Sequence, residues 1–221
     1  TQMLNETARK AGLPINNSTL LDYINNDSSA DSMLNSINGS TSAATQMLKA
    51  KVSKTGYENT DKSSEDLQNA IDKLAGKKST VFKDARESKD TSKVTAAAQE
   101  LIDKYNSLVE VMSKTSSSLD EFYKKALKGL PKSIKESLEK VGITYNSDGT
   151  LEVDSDKLKK ADVDSLEKIF GSDSEFMKKL SFVTDRIESN AEANLQSVSS
   201  TYSSTADIMS SFNSSKYDFL G

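Results

Sequence analysis

The sequence predicts a mainly α-helical protein, an elongated, antiparallel, coiled-coil-like helical bundle that carries one small β-hairpin at Ile143–Val153. Three observations support this fold class. Two long stretches, beginning near Ser92 and Ser174, repeat apolar residues at alternating steps of three and four, which is the spacing of a helical seam. Only residues 142–156 alternate apolar and polar residues as a strand does. Of the 221 residues, 35% are hydrophobic and 28% charged, which favours a thin core over a compact globule.

The first part of the chain is predicted to be less regular than the rest. Residues 1–58 are expected to form a Ser/Asn-rich, weakly helical N-terminal flank, because their apolar residues come in small groups broken by Gly and Pro. Residues 59–221 are expected to form the helical bundle with its hairpin. A helix is predicted from Thr60 to Ala75, because four apolar residues share one face and Gly76 follows. Lys83–Asp90 is interpreted as a charged connector. The four apolar residues are Leu67, Ala70, Ile71 and Leu74.

The first long helix has the clearest periodic signal. It begins near Ser92 and is predicted to run to Lys128. A capping-box pattern of Ser118 and Glu121 inside it leaves open a restart of the helix at Leu119. Its predicted seam consists of Val94, Ala98, Leu101, Tyr105, Leu108, Met112, Thr115, Leu119, Phe122 and Ala126.

A shorter helix and a final long helix follow. Gly129 is predicted to end the first long helix and Pro131 to open the shorter one. The final helix, Ser174–Ser211, also repeats apolar residues by threes and fours. Because each long helix needs a partner for its seam, we predict that Ser92–Lys128 and Ser174–Ser211 form an antiparallel pair. The seam of the final helix consists of Phe176, Leu180, Val183, Ile187, Ala191, Leu195, Val198, Tyr202, Ala206, Met209 and Phe212.

The hairpin is predicted from the turn residues between its two strands. Asn146-Ser147-Asp148-Gly149 supplies residues that tolerate a positive φ, and we expect Gly149 to adopt one. Since an isolated hairpin is marginally stable in water, we place it as a cap at the end of the helical pair. The side chains of Ile143, Leu151 and Val153 are expected to face inward. Asp154 or Ser155 is expected to begin the next helical turn.

Charge and hydropathy exclude two classes of partner. The 29 basic and 33 acidic residues are mixed along the chain, so there is no basic stripe for nucleic acid. The chain has no run of about 18 apolar residues, so membrane insertion is not predicted. The first thirty residues lack the apolar core of a signal peptide, but the chain begins at Thr1, and we expect that an upstream segment was removed.

Residue usage also limits the chemistry. Without Cys or His, the chain has neither a thiolate nor an imidazole base, although a Ser–Lys pair remains open. The hairpin turn echoes the start of a calcium loop. Aligning Gly149 with the loop's glycine, however, places Thr144 first and Ser155 twelfth, where acidic ligands are required. We therefore predict no catalytic, cofactor-binding or metal-binding residues.

The end of the final helix and the tail that follows are predicted to form an assembly surface. Their apolar stripe continues beyond Ala191, where an internal partner is expected to run out. A second copy or a neighbouring filament subunit would then dock there as helix against groove. The alternative is that Met33–Val52 folds back and covers the stripe. The predicted surface residues are Leu195, Val198, Tyr202, Met209, Phe212, Tyr217, Phe219 and Leu220.

The order of elements from Val94 to Phe212 resembles the C-terminal region of the flagellar filament-capping family, hook-associated protein type 2. The resemblance centres on Gly142-Ile143 and Asp148-Gly149-Thr150-Leu151, followed by Asp154. The other matching residues are Ala98, Leu101, Ile102, Tyr105, Asn106, Leu108, Val109, Leu138, Lys157, Leu158, Ala161 and Phe170.

This resemblance implies an exported, extracellular, non-enzymatic protein that self-assembles at the filament tip. Its partners would be other copies of itself or flagellin-like subunits, and no site residues carry over. Residues 1–93 do not show the β-rich outer domains of the family, so the chain is expected to be a fragment or a short relative. The alternatives are a secreted helical binding module or adhesin-like surface protein, and a hydrolase that uses one of the many serines.

Overall fold

The fold was determined as a computed structural model, which describes residues 43–115 and 117–215, with side chains for 51–115 and 117–200. The described chain is mainly helical with one small hairpin, which confirms the predicted fold class. Contacts divide the chain into one unit of residues 56–193 and another of residues 1–55 with 194–221. The elements are α1 (Ala43–Ala75), α2 (Val81–Ser88), α3 (Ser92–Met112), α4 (Ser118–Ser133), α5 (Lys135–Lys140), β1 (Ile143–Tyr145), β2 (Leu151–Val153), α6 (Ser155–Lys160), α7 (Val163–Phe170) and α8 (Glu175–Ser215).

A single hydrophobic cluster forms the core of the unit 56–193. It takes in the predicted face of α1, the seam of α3 as far as Met112, and the first part of the seam of α8. Burial of these apolar faces, more than helix propensity, stabilises the helices. Side chains that are almost completely buried in it include Leu67, Leu74, Leu101, Tyr105, Leu108, Met112, Leu138, Ile143, Leu166, Phe170 and Leu180.

Polar contacts give the relative directions of the three longest helices. Lys104 of α3 contacts Asp66 of α1 at 3.0 Å. Further along α1, Lys73 contacts Glu100, which lies earlier in α3, so the two helices are antiparallel. Gln68 of α1 likewise donates to the Ser181 hydroxyl of α8 at 2.9 Å.

Helix α1 is antiparallel to α8 as well, because Asp61, earlier in α1 than Gln68, lies beside Glu188, later in α8 than Ser181. Helices α3 and α8 therefore run in the same direction, and the predicted antiparallel pairing of Ser92–Lys128 with Ser174–Ser211 is wrong. The reason is that the segment between α3 and α8 contains four helices and a hairpin. It is long enough for the chain to return to the end of the bundle at which α3 begins. The antiparallel partner of both helices is α1.

Helix α3 ends at Met112, and α4 begins after a new cap, so the restart and not the continuous helix is confirmed. The capping box is one residue earlier than predicted, because Ser117 accepts from the Asp120 amide and Asp120 accepts from the Ser117 amide, each at 3.1 Å. The break also ends the seam. Leu119 is 47% and Phe122 64% exposed, whereas Leu127 is fully buried.

Two other predicted boundaries are wrong. Most of the predicted connector Lys83–Asp90 lies in α2, which forms because Phe82 and Ala85 bury one face three residues apart. Helix α4 continues through Gly129, and Pro131 lies inside its last turn instead of opening a new helix. Pro131 is buried there.

The predicted hairpin is confirmed. Its strands pair antiparallel with Ile143 opposite Val153 and Tyr145 opposite Leu151. Gly149 has a φ of +94°, as predicted, because the chain must reverse within a few residues. The hairpin packs against the side of α3, not as a cap at the end of a helical pair, since α3 carries polar groups that bind its turn.

Candidate assembly surfaces

The structure describes only part of the predicted assembly surface. Leu195 and Val198 are half-buried on α8. Tyr202, Met209 and Phe212 lie on the same helix, but their side chains are outside the described residues, as are Tyr217, Phe219 and Leu220 altogether. This surface, and its alternative cover Met33–Val52, therefore remain predictions.

The hairpin is held on α3 by three hydrogen bonds from adjacent residues. The Tyr105 hydroxyl donates to the Gly149 carbonyl at 2.9 Å. The Asn106 amide nitrogen donates to the Leu151 carbonyl at 2.7 Å, and its oxygen accepts from the Leu151 amide at 2.8 Å. Burial raises the pKa of the Tyr105 hydroxyl well above its ordinary value, so this donor stays protonated. The turn and the second strand are thus fixed to the helix.

A buried carboxylate joins α1, α4 and α8. Asp120 is 3% exposed and occupies the N3 position of the α4 capping box, three residues after the N-cap. It accepts from the Asn190 amide nitrogen of α8 at 2.7 Å and from the Tyr57 hydroxyl of α1 at 3.2 Å. Burial and, second, the charge of Asp120 raise the pKa of the Tyr57 hydroxyl. Asp120 therefore fixes where α4 starts relative to two neighbouring helices. Sequence reasoning missed it, because a cap residue gives no sign of long-range partners.

Helix α4 and the hairpin border an open groove of about 660 Å³. The groove is rich in lysine and aromatic side chains, with a single carboxylate. Lys124 pairs with that carboxylate, Glu121. The residues lining it are Ser118, Glu121, Phe122, Lys124, Lys125, Lys128, Gly129, Lys132 and Tyr145.

The side chain of Lys128 forms the boundary between the groove and the hairpin turn. Its aliphatic carbons pass so close to Gly149 that a Cβ there would lie 2.5 Å from Cδ. Its charge also acts on the turn. The pKa of Asp148 is lowered, first by the hydrogen bonds that it accepts from Thr150 and to a smaller extent by Lys128. The φ of +94° is what requires glycine at position 149, because the flexible Lys128 side chain could move away from a Cβ.

Carboxylates cluster on two other helices, α1 and α8. Carboxylate oxygens of Asp61, Glu188 and Glu192 all lie within 4.8 Å of one another. The pKa of Glu188 is raised, first by burial and then by neighbouring carboxylates, including Asp61, Glu192, Asp185 and Glu65. Like charges at this spacing repel, so this surface is strongly negative and favours a positively charged neighbour.

A second groove, between α5, α7 and the start of α8, bears on the hydrolase alternative. It brings together Ser165, Ser174 and two lysines. The Ser165 hydroxyl, however, donates to Asp162 at 2.7 Å, and the Ser174 hydroxyl donates to the Ile169 carbonyl at 2.6 Å. Ser165 lies in the first turn of α7, whose cap is Asp162, and the Ser174 hydroxyl accepts from the Met177 amide at the start of α8. Neither hydroxyl donates to a lysine amine, as a Ser–Lys pair would require.

The described residues form a helical structural domain with charged surfaces and a hairpin that is fixed by hydrogen bonds. No helix in the described part of the chain is both long and apolar enough to cross a membrane. Residues 117–219 match the family model of the flagellar hook-associated protein 2 C-terminus. The resemblance drawn from the sequence is thereby confirmed for residues 117–219, which are similar to the C-terminal region of flagellar hook-associated protein 2.

The match covers just under half of the chain, from the cap of α4 through the hairpin to the tail. The sequence resemblance also included α3, whose Tyr105 and Asn106 hold the hairpin. No curated protein matches the chain, and no solved structure does.

Proposed function

We propose that the chain is a non-enzymatic structural protein of the flagellum that acts in the manner of a filament cap. The observation that carries this proposal is the match of residues 117–219 to the hook-associated protein 2 C-terminus. The matched region contains the capping box at Ser117, the hairpin and α8, and hydrogen bonds join the hairpin to α3 and α8 to Asp120 of α4.

The internal architecture supports a structural role. The hairpin is fixed to α3 by both backbone groups of Leu151, and α4 is fixed to α1 and α8 through Asp120. Surfaces that dock to other subunits bind more tightly when they are held rigid before binding, because less conformational entropy is lost. These polar anchors position surfaces and carry no group in a reactive arrangement.

The proposed location is outside the cell, at the flagellum, after export. The proposed partners are other copies of this chain or flagellin-like subunits. The apolar stripe of α8 and the tail, from Leu195 to Leu220, is proposed as one contact surface. Docking through such a stripe would bury helix against groove.

Binding to flagellin filaments tests this function. The purified full chain is mixed with preformed filaments and centrifuged, and the pellet is assayed for the chain. We expect a small, saturable amount in the pellet, because each filament has few ends. A matched experiment with shorter, sheared filaments provides more ends for the same mass, and the bound amount should rise in proportion. A chain that stays in the supernatant with both preparations would contradict the proposal.

A further inference from the structure

The unit 56–193 carries two surfaces of opposite charge. The lysine groove consists of Lys125, Lys128 and Lys132 with Phe122 and Tyr145, between α4 and the hairpin. The acidic surface lies on α1 and α8 and consists of Asp61, Glu65, Asp185, Glu188 and Glu192.

The lysine groove contains lysines that have no ion-pair partner among the described residues. Within the described residues, neither Lys125 nor Lys132 forms an ion pair, whereas Lys124 beside them is paired with Glu121. The groove also has room for a ligand. Gly129 lies in it, and a Cβ built there would meet nothing within 4 Å. Phe122, 64% exposed, offers an apolar contact at its edge.

The acidic surface carries an excess of negative charge. The largest electrostatic influences on Glu188 come from neighbouring carboxylates, which repel one another. Asp185 and Glu192 are exposed, and Phe182, 59% exposed, lies one turn before Asp185 on α8, with the Arg186 guanidinium 5.1 Å from its ring centre. Among the described side chains, the large hydrophobic ones that are exposed are Leu119, Phe122 and Phe182, and all belong to the helices of these two surfaces.

We propose that the lysine groove of one copy binds the acidic surface of a second copy. The proposal rests on the proposed function, since it assigns the surfaces through which the chain self-assembles. The occupant follows from charge complementarity: each surface supplies the charge that the other lacks, and each has an exposed aromatic side chain at its edge. Because two different surfaces meet, the contact is heterologous, and a third copy can add to the second in the same way.

A contact of this kind depends on salt. Exposed charges are screened over about 8 Å at physiological ionic strength, so association should weaken as salt is added. An assembly formed only by burial of the apolar stripe of α8 would not weaken, because salt does not screen apolar contacts.

Charge reversal on each surface tests the proposal. The groove variant carries Lys125→Glu and Lys132→Glu, and the acidic-surface variant carries Asp185→Lys and Glu192→Lys. All four side chains are exposed, so circular dichroism should show unchanged folding. The matched control, Lys77→Glu with Lys78→Glu, changes the same charge at an exposed turn outside both surfaces.

Sedimentation equilibrium of the full chain measures the association. We expect each variant to associate on the order of tenfold more weakly than the unmodified chain, and the control to be unchanged. An equimolar mixture of the two variants should recover association, because the unmodified surface of each then fits the other. Gly129→Gln, which fills the groove without changing charge and favours the helix, should weaken association as well.

The outcomes separate this proposal from the proposed function. If the variants associate as the unmodified chain does, or if the mixture recovers nothing, the proposal is wrong, while filament binding can still support the cap-like function. If the variants associate normally but no longer sediment with flagellin filaments, the occupant of the groove is flagellin and not a second copy. An unmodified chain that stays monomeric at low salt would overturn the proposal directly.

Discussion

Asn106 is expected to be the strongest single anchor of the hairpin. Its side chain binds the amide and the carbonyl of Leu151, at 2.8 and 2.7 Å, and Leu151 is 5% exposed. Asn106→Ala removes two hydrogen bonds, each contributing about 0.5–1.5 kcal/mol, and leaves partly buried backbone groups unpaired. We expect the free energy of unfolding to fall by about 2–4 kcal/mol.

Urea unfolding of the full chain, followed by far-ultraviolet circular dichroism, measures this loss. Asn69→Ala, at an exposed position of α1, is the matched control and should change stability by no more than about 0.5 kcal/mol. Hydrogen exchange adds a local readout, since the Leu151 amide should exchange faster in the Asn106 variant. A variant as stable as the control, with Leu151 still protected, would refute the anchoring by Asn106.

Three further predictions concern the core, the turn and the acidic surface. Leu108→Ala, at a fully buried position of α3, should lower the free energy of unfolding by about 2–5 kcal/mol. The exposed control Glu110→Ala should change it by no more than about 0.5 kcal/mol. Equal effects of the two substitutions in urea unfolding would contradict burial of the seam. Gly149→Val should destabilise the hairpin because of its φ of +94°, and unchanged exchange of the hairpin amides would count against this. The folded-state pKa of Glu188 is raised, so the contribution of Glu188 to stability declines as pH rises through that pKa. We expect Glu188→Gln to raise the free energy of unfolding at neutral pH by less than about 1 kcal/mol. At acidic pH the same substitution should have little effect. A Gln variant that loses stability at neutral pH would show that the carboxylate is stabilising.

Local signals allowed the hairpin and several helix ends to be predicted. The turn at Asn146–Gly149 could be predicted because its sequence supplies residues that tolerate a positive φ. Asp154 caps α6 by accepting from two amides at its start, as a short-range pattern predicts. Such features depend on neighbours in sequence, so no knowledge of the fold is needed to find them.

Helix direction could not be predicted in this way. A seam of apolar residues shows that α3 and α8 need partners, but its periodicity is the same in either direction. The contacts of Asp66 and Gln68 show that α1 is the partner of both. Residues 43–58 belong to the segment 1–58 that was predicted to be a Ser/Asn-rich, weakly helical flank, and they lie in a helix of 33 residues.

The candidate surfaces required three-dimensional information. The lysines of α4 are typical of any solvent-facing helix, and only the hairpin beside them creates a groove. The carboxylates of α1 and α8 are more than a hundred residues apart in sequence, and the antiparallel packing of these helices brings them together. The predicted stripe from Leu195 to Leu220 is still a prediction for binding experiments.

Electron microscopy of flagellin filaments with the gold-labelled full chain shows where on a filament the chain binds. We expect label at filament ends and bare filament sides. Label distributed along the sides, or filaments without label at saturating concentration, would contradict a cap-like structural role.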